Sequence, residues 1–352
     1  MKALFIPDWR KRNPYQAELA ESLAIYGVVT DFDSNLDWNT VLSIVRGHHK
    51  VDVLHIHWAY PFILGNSLPK SIKKTIIFSL KLSMIKLSGV SITWTVHNLF
   101  NHDKKFTRLE MLLNRFVAFI ADEIIAHSRY AKHIITKNYK TKESKISIIS
   151  HGHYINIYPR DISREEARKR LELNDNDFVF LYLGVIRGYK GLVDLVEAFK
   201  SLSASNAKLL IAGRPKDESV ADQVQRLSNR CPGIRLVMEY IPDDKIQVYM
   251  NAADIVVLPY RDILTSGTIY LAMSFAKPVI ASATGSVPEI LDSKGGFLFE
   301  AGDKDGLNRL MEQACKAGPD VLEEMGKYNF KVVEKFDWKN IAFQTTELYK
   351  KN

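Results

Sequence analysis

The chain has 352 residues, 46% hydrophobic and 25% charged, a size and composition that suit a globular protein of two domains with a sizeable core. Its formal charge of +8 sits wholly in the first half: residues 1–155 hold 21 Lys and Arg against 12 Asp and Glu, and the rest hold 27 against 28. Two cysteines, Cys231 and Cys315, exclude a disulfide framework and fit a cytoplasmic setting, and no apolar run reaches the roughly 18 residues of a membrane span. All ten histidines lie between His48 and His153, so the two halves differ in chemistry as well as charge. A basic half can meet nucleic acid, anionic lipid or a phosphate-bearing substrate. It holds no recognised nucleic-acid motif, so no nucleic-acid partner is expected.

In chain order, KALFIP reads as a buried strand that stops at Pro7-Asp8, too early for a signal peptide. Arg10, Lys11, Arg12 and Asn13 follow in a loop, and Pro14 fits the start of a helix running to Tyr26. VDVLHIHW, VSITWTVHN, ADEIIAHS and KISIISHG read as further strands. Between the first two of these, Lys70 to Lys86 interleaves five lysines with Ile, Phe, Leu and Met. Such a basic amphipathic helix either sets one face on a core and the other in solvent, or lies on an anionic membrane surface. The linker falls near residues 154–163, and Ser163 with Glu166 forms a capping box that opens a helix.

A second series then runs FVFLYLG, a helix over 192–202, AKLLIAG, a helix near 219–228, IRLVMEY, a helix near 245–252, and DIVVLPY. A helix behind the turn Thr265-Ser266-Gly267-Thr268 and the strand PVIAS follow. The last segment, FDWKNIAFQTTELYKK, is an amphipathic helix offering Trp338, Ile341, Phe343 and Leu348 for packing. Short β-branched runs alternating with helices specify parallel sheets. The expected class is α/β, with two Rossmann-like doubly wound domains at 1–155 and 156–335 and a helix at 336–352 packing back on the first. Two such domains place the carboxyl ends of their sheets across a cleft, where open α/β sheets bind ligands.

No GxGxxG follows the first strand and no GxxxxGK[ST] occurs, which argues against a dehydrogenase and a P-loop NTPase. In YLGVIRGYKGLVDLVEAF, Gly184 ends a strand, Arg187 and Lys190 lie in the loop, and Gly191 opens a helix. Two cations beside a helix N-terminus suit a diphosphate, and the plain alternative is a solvated basic loop. The Thr265–Thr268 turn offers amides, hydroxyls and a glycine to a phosphate, and the plain alternative is a Ser/Thr helix cap. His55 and His57 alternate on one strand and share a face. With Trp58 they line a cleft or, for His55, fill the core. No third zinc ligand is evident, and the acidic pairs at 31–33 and 175–177 sit in polar turns.

LGVIRGYKGLVDLVEAF, LLIAGRP, ADIVVLPY, TSGTIYLAMSFAKPVIASATGSVPEIL and GGFLFEAGD occur in the order and spacing of a known donor domain. They resemble that of GT-B glycosyltransferases of the family 4 type, and VDVLHIHW, TWTVHN, ADEIIAHS and IISHG resemble the acceptor domain of the same enzymes. The resemblance implies a metal-independent transferase using a nucleoside-diphosphate sugar of UDP or GDP type. The acceptor would be a glycan or polyprenyl-diphosphate-linked sugar, the configuration would be retained, and the enzyme would be peripheral on the inner face of the membrane, assembling surface polysaccharide.

Carried onto this chain, Lys190 matches the lysine that binds the donor diphosphate. Arg187 is displaced, with Val185 where the family's arginine stands. Gly184, Thr265, Ser266, Gly267, Thr268 and Glu289 fall at donor-binding positions, Glu289 equally as a helix cap. His97 matches the histidine near the sugar. Asn13 and Tyr15 replace a glycine-rich loop and, with His57 and Trp58, fall to the acceptor. The chain departs from the family at two acids, replaced by Ile263 and Leu271. A nucleotide-sugar 2-epimerase and a non-catalytic binding subunit are the competing functions.

Overall fold

A computed structural model describes residues 1–351 other than Arg12, His102, Lys104 and Arg230. The chain divides into two compact units, Met1–Gly152 with Asp337–Asn352, and His153–Phe336.

In the first unit the order is β1 (Lys2–Ile6), α1 (Tyr15–Ala24), β2 (Val29–Phe32), α2 (Trp38–Val45), β3 (Val53–Ile56), α3 (Leu68–Leu87), β4 (Ser91–Thr95), α4 (Thr107–Ile120), β5 (Glu123–Ala126), α5 (Arg129–Tyr139) and β6 (Ile146–Ile148). The strands pair in parallel in the order β2-β1-β3-β4-β5-β6. β3 and β4 are buried at every position, as strands covered on both faces must be, which is why their sequences read as continuous rather than alternating apolar runs. Asp37 and Ser128 cap α2 and α5 by accepting from the backbone N–H of Thr40 and Ala131.

The second unit runs α6 (Arg164–Arg170), β7 (Phe178–Leu183), α7 (Leu192–Lys200), β8 (Ala207–Ala212), α8 (Glu218–Ser228), β9 (Ile234–Val237), α9 (Ile246–Ala252), β10 (Ile255–Leu258), α10 (Gly267–Ser274), β11 (Val279–Ser282), β12 (Gly296–Phe299), α11 (Lys304–Lys316) and α12 (Pro319–Val333). Its parallel sheet has the order β12-β11-β10-β7-β8-β9. Ser163 caps α6, its hydroxyl accepting from the Glu166 N–H at 3.2 Å, while the Glu166 carboxylate accepts from Arg170 rather than closing the expected capping box. The last helix, α13 (Trp338–Tyr349), belongs to the first unit and packs on α1.

Trp338, Ile341 and Leu348 are buried on α13, while Phe343 is 47% exposed and packs only at the rim, its ring centroid 5.7 Å from that of Tyr26. It stands two residues from Ile341 and so points to the opposite side of the helix.

The strand order of each sheet reverses once, between β1 and β3 in the first unit and between β7 and β10 in the second. The crevice beyond the strand ends at such a point is where open α/β sheets hold ligands. The loops that follow these four strands carry nearly all the residues singled out from sequence.

Candidate functional site

In the second unit three loops meet beyond the strand ends. Gly184 closes β7 at φ +151°, and a Cβ placed there would lie 3.9 Å from Thr268 Oγ1. Gly191 opens α7 at φ +70°, and any side chain would overlap the Pro259 carbonyl oxygen. Glycine is therefore required, and its contact ties the loop behind β7 to the end of β10. Between these glycines the Lys190 ammonium rests 4.0 Å from the centroid of the Tyr260 ring. It makes no ion pair among the described residues. Arg187 is half-buried in the same loop. Arg261, by contrast, is committed: it donates to both oxygens of Asp194 at 2.7 and 2.8 Å.

The Thr265–Thr268 turn leads into α10, yet it is not an ordinary cap. Ser266 stands at the cap position and makes no side-chain cap bond; its hydroxyl donates to Tyr260 Oη at 3.2 Å. Thr265 Oγ1 and Ser286 Oγ are buried and have no hydrogen-bond partner. Their loops are joined by the backbone, the Ser286 N–H donating to the Leu264 carbonyl at 3.2 Å. Buried hydroxyls are nearly always satisfied, so these two, beside the start of α10, stand out. The positions that lack acids do packing work: Leu271 is buried in the core, and the Ile263 carbonyl lies against Gly285 at φ +60°. Glu289 is exposed at the end of a short turn behind β11.

In the first unit the loops behind β1 and β3 frame a stack of rings. Trp9 stacks on Trp58, and Trp58 stacks on His97, each at 4.5 Å between centroids. His57 Nδ1 lies 3.3 Å from His97 Nε2, His97 Nδ1 lies 3.3 Å from His127 Nε2, and His127 Nδ1 lies 2.9 Å from the Ile149 carbonyl oxygen. Burial holds all these rings below the ordinary imidazole range. His127 falls to about 4, His57 and His97 fall well below their usual value, and neighbouring histidines lower these last two further. His55 and His151 fall to about 3 for the same reasons.

His55 resolves as a core residue, with Nδ1 on Tyr349 Oη at 2.5 Å and Nε2 on Thr95 Oγ1 at 2.7 Å. Tyr15, assigned to the acceptor, is only 2% exposed, edge-on to His57, His97, His127 and His151. Asn13 Oδ1 accepts from the Tyr15 N–H at 2.9 Å and so fixes the entry to α1. His97 has both ring nitrogens bonded to other histidines. Sequence reading passed over His127, Tyr260 and Ser286. All three lie inside segments quoted for the resemblance, and only their orphaned or chained polar atoms distinguish them. Among the described residues no group of three or more His, Cys, Asp or Glu is arranged to hold a metal ion.

Two family models match the chain: glycosyl transferases group 1 over residues 163–332, and glycosyltransferase family 4 over residues 34–154. A GDP-mannose:glycolipid 4-beta-D-mannosyltransferase of Xanthomonas campestris pv. campestris is 27% identical over 277 residues, covering 77% of this chain and 74% of its own. The capsular polysaccharide biosynthesis glycosyltransferase CapM of Staphylococcus aureus is 28% identical over 272 residues, 74% of this chain and 69% of its own. Among solved structures, Anabaena HepE in complex with UDP and glucose superposes with a TM-score of 0.79 at 16% identity over the whole of both chains. WaaG, a glycosyltransferase involved in lipopolysaccharide biosynthesis, gives 0.66 at 14% identity over 99% of both.

Proposed function

The chain belongs to the GT-B glycosyltransferases of the group 1 and family 4 type, and from that premise we propose that it moves a sugar from a UDP- or GDP-linked donor onto a glycan or polyprenyl-diphosphate-linked acceptor. The observation that carries the donor half is the pair of unpartnered buried hydroxyls, Thr265 Oγ1 and Ser286 Oγ, in loops beside an unpaired Lys190 ammonium. Phosphate oxygens would satisfy the hydroxyls and the α10 amides together. The ammonium and the helix dipole would stabilise charge as the diphosphate leaves. Arg187 and Thr268 would extend this cradle, with Gly184 and Gly267 giving it room, and Glu289 would meet the sugar. The xanthomonad relative's name specifies GDP-mannose and a glycolipid, and the HepE complex holds UDP and glucose, which motivates testing both donor types.

The first unit would supply the acceptor half through His57, Trp58, His97 and the α1 entry at Asn13, with the buried Tyr15 packed on the histidine rings behind them. Retention of configuration follows from the family 4 resemblance, and the anomeric configuration of the product reads it directly. The test is incubation with UDP-glucose and GDP-mannose, each with and without a polyprenyl-diphosphate-linked glycan. Transfer onto the glycan supports the reading. Acceptor-free conversion of one nucleotide sugar to its 2-epimer would replace it with the epimerase, and nucleotide binding without any turnover would replace it with a binding subunit.

Membrane contact at the inner face belongs to the same proposal, and α3 supports it in a way the lysine count does not. Lys74 and Lys81 are spent on backbone carbonyls and Lys86 on Asp122, leaving Lys70 and Lys73 exposed. Beside them Leu68, Ile72, Ile76 and Leu80 are 47%, 42%, 62% and 51% exposed. Spaced at i, i+4, these four form one apolar ridge opposite the buried Phe78, Leu82 and Ile85. A helix with a core face and a second apolar face edged by lysine fits an anionic bilayer surface better than water. No helix among the described residues is long and apolar enough to cross a membrane.

A further inference from the structure

Three consecutive residues behind β10 hold the loop that carries Lys190. The Pro259 carbonyl oxygen lies against Gly191, where any Cβ would overlap it. The Arg261 N–H donates to the Tyr189 carbonyl at 2.8 Å. Tyr260, buried between them, presents its ring to the Lys190 ammonium at 4.0 Å, and the Tyr189 ring lies 5.3 Å from the same ammonium. A ring face attracts a cation and leaves its charge intact, whereas a carboxylate cancels it.

A carboxylate is nevertheless at hand. Asp194, four residues beyond Lys190 and the acid nearest to it along the chain, stands in the first turn of α7 and is 5% exposed. A buried carboxylate requires a partner. Left bare, it would draw the ammonium into an ion pair. It would also set a negative charge at the helix N-terminus, where the amides and the dipole otherwise favour an anion. Arg261 takes both of its oxygens, Nη2 on one at 2.7 Å and Nε on the other at 2.8 Å. Glu197, the other acid of α7, pairs with Lys304. Both carboxylates of the helix are thus committed to cations other than Lys190.

We propose that Arg261 and Tyr260 are positioning residues for Lys190. Arg261 occupies Asp194, so that this carboxylate does not quench the ammonium, and Tyr260 holds the ammonium in place with its charge intact. This rests on the reading that Lys190 binds the donor diphosphate, and it names the residues that keep Lys190 free to do so. Neither positioning side chain need touch the donor. The alternative is that the Arg261–Asp194 pair only fastens α7 to the end of β10. The two part at Asp194. A fastener fails when either partner is changed, whereas a guard is needed only while there is a carboxylate to guard against.

The first test uses no ligand. A lysine held against a ring face has its CεH2 proton signals shifted upfield, and in lysine-labelled protein the Lys190 signal is assigned by its absence from Lys190→Arg. The upfield position should be present in the wild type and in Asp194→Asn. Arg261→Gln keeps a hydrogen-bond donor toward Asp194 and removes the charge. There the upfield position should be lost as the ammonium turns to Asp194, and the double variant Arg261→Gln/Asp194→Asn should restore it. The second test titrates UDP and GDP calorimetrically. Whichever binds the wild type should bind Arg261→Gln about tenfold more weakly and Asp194→Asn at least as tightly as the wild type. The double variant should return to within about threefold of the wild type. Tyr260→Leu should lose about tenfold, and Tyr260→Phe, which keeps the ring, should recover most of that loss. A tenfold loss in Asp194→Asn would overturn the proposal even where Arg261→Gln fails to fold. A double variant as weak as Arg261→Gln would overturn it too, and both results leave the donor reading standing. Absence of nucleotide binding by the wild type would overturn the donor reading alone if the Lys190 signal follows the expected pattern, and both if it does not.

Discussion

The Lys190 ammonium lies on the face of Tyr260, and the Tyr260 hydroxyl accepts from Ser266 in the turn that opens α10. One aromatic ring thus joins the loop behind β7 to the loop behind β10, on either side of the point where the sheet reverses. The cation is held in place by a ring face rather than by a carboxylate. That arrangement leaves the ammonium without an ion-pair partner among the described residues, which supports its proposed part in binding the diphosphate.

Thr265→Val separates a ligand-binding hydroxyl from a structural one. Thr265 Oγ1 is buried without a partner, so replacing it by a methyl removes an unsatisfied group. The apo protein should become slightly more stable, by about 1 kcal/mol, while affinity for the nucleotide falls about tenfold. Thermal unfolding with and without UDP or GDP measures both at once. A variant that loses stability would show instead that the hydroxyl serves the fold.

Gly191→Ala should damage the second unit directly. At φ +70° a Cβ is strained, and here it would also overlap the Pro259 carbonyl. A cost of about 2–3 kcal/mol is expected, lowering Tm by about 5 °C or more, with donor affinity falling as the loops behind β7 and β10 part. Calorimetric unfolding and nucleotide titration of the variant measure the two losses.

The architecture was legible because strand and helix periods, turn residues and helix caps agree at nearly every element of both units. Gly184 and Gly191 and the Thr265–Thr268 turn were legible as the loops behind β7 and β10, since glycine and Ser/Thr mark tight turns and helix starts. What sequence concealed was which polar atoms stay unsatisfied. His55 and His57 share a strand face, yet one has both nitrogens bonded and the other has a bare nitrogen. That difference depends on Thr95, Tyr349 and His97, which no local pattern connects. Phe343 packs only at the rim, against Tyr26, for a simpler reason: an amphipathic segment does not declare which of its aromatic residues lies off the buried stripe.

Acid should destabilise the first unit in particular. His55, His127 and His151 have folded values of about 3, 4 and 3, and His57 and His97 are also lowered, whereas unfolded histidine titrates near 6.5. Above that value both states are neutral and the histidines cost nothing. As pH falls below it the unfolded chain takes up protons that the folded unit refuses. Each ring then removes about 1.4 kcal/mol of stability per pH unit, until its own folded value is reached. Urea unfolding between pH 7.5 and 4.5 should show uptake of several protons on unfolding, and a flat profile would contradict the buried neutral cluster.

Ile72→Glu combined with Ile76→Glu tests the apolar ridge of α3. Both side chains are exposed, so the fold should be unaffected. Each isoleucine buried in lipid contributes about 2 kcal/mol, and the variant should lose at least tenfold in partitioning to vesicles of phosphatidylglycerol and phosphatidylcholine. Sedimentation with such vesicles at low and high salt measures it, and equal binding by both proteins would remove α3 from the membrane account.

The claim on which the rest depends is that the loops joined by Lys190 and Tyr260 hold a nucleoside diphosphate. Isothermal titration of UDP and GDP into the wild-type protein and into Lys190→Ala tests it most directly. One nucleotide should bind the wild type, and the variant should bind it at least tenfold more weakly, a loss of about 1.4 kcal/mol or more. Absence of binding by either nucleotide, or equal affinity in the variant, would contradict the account.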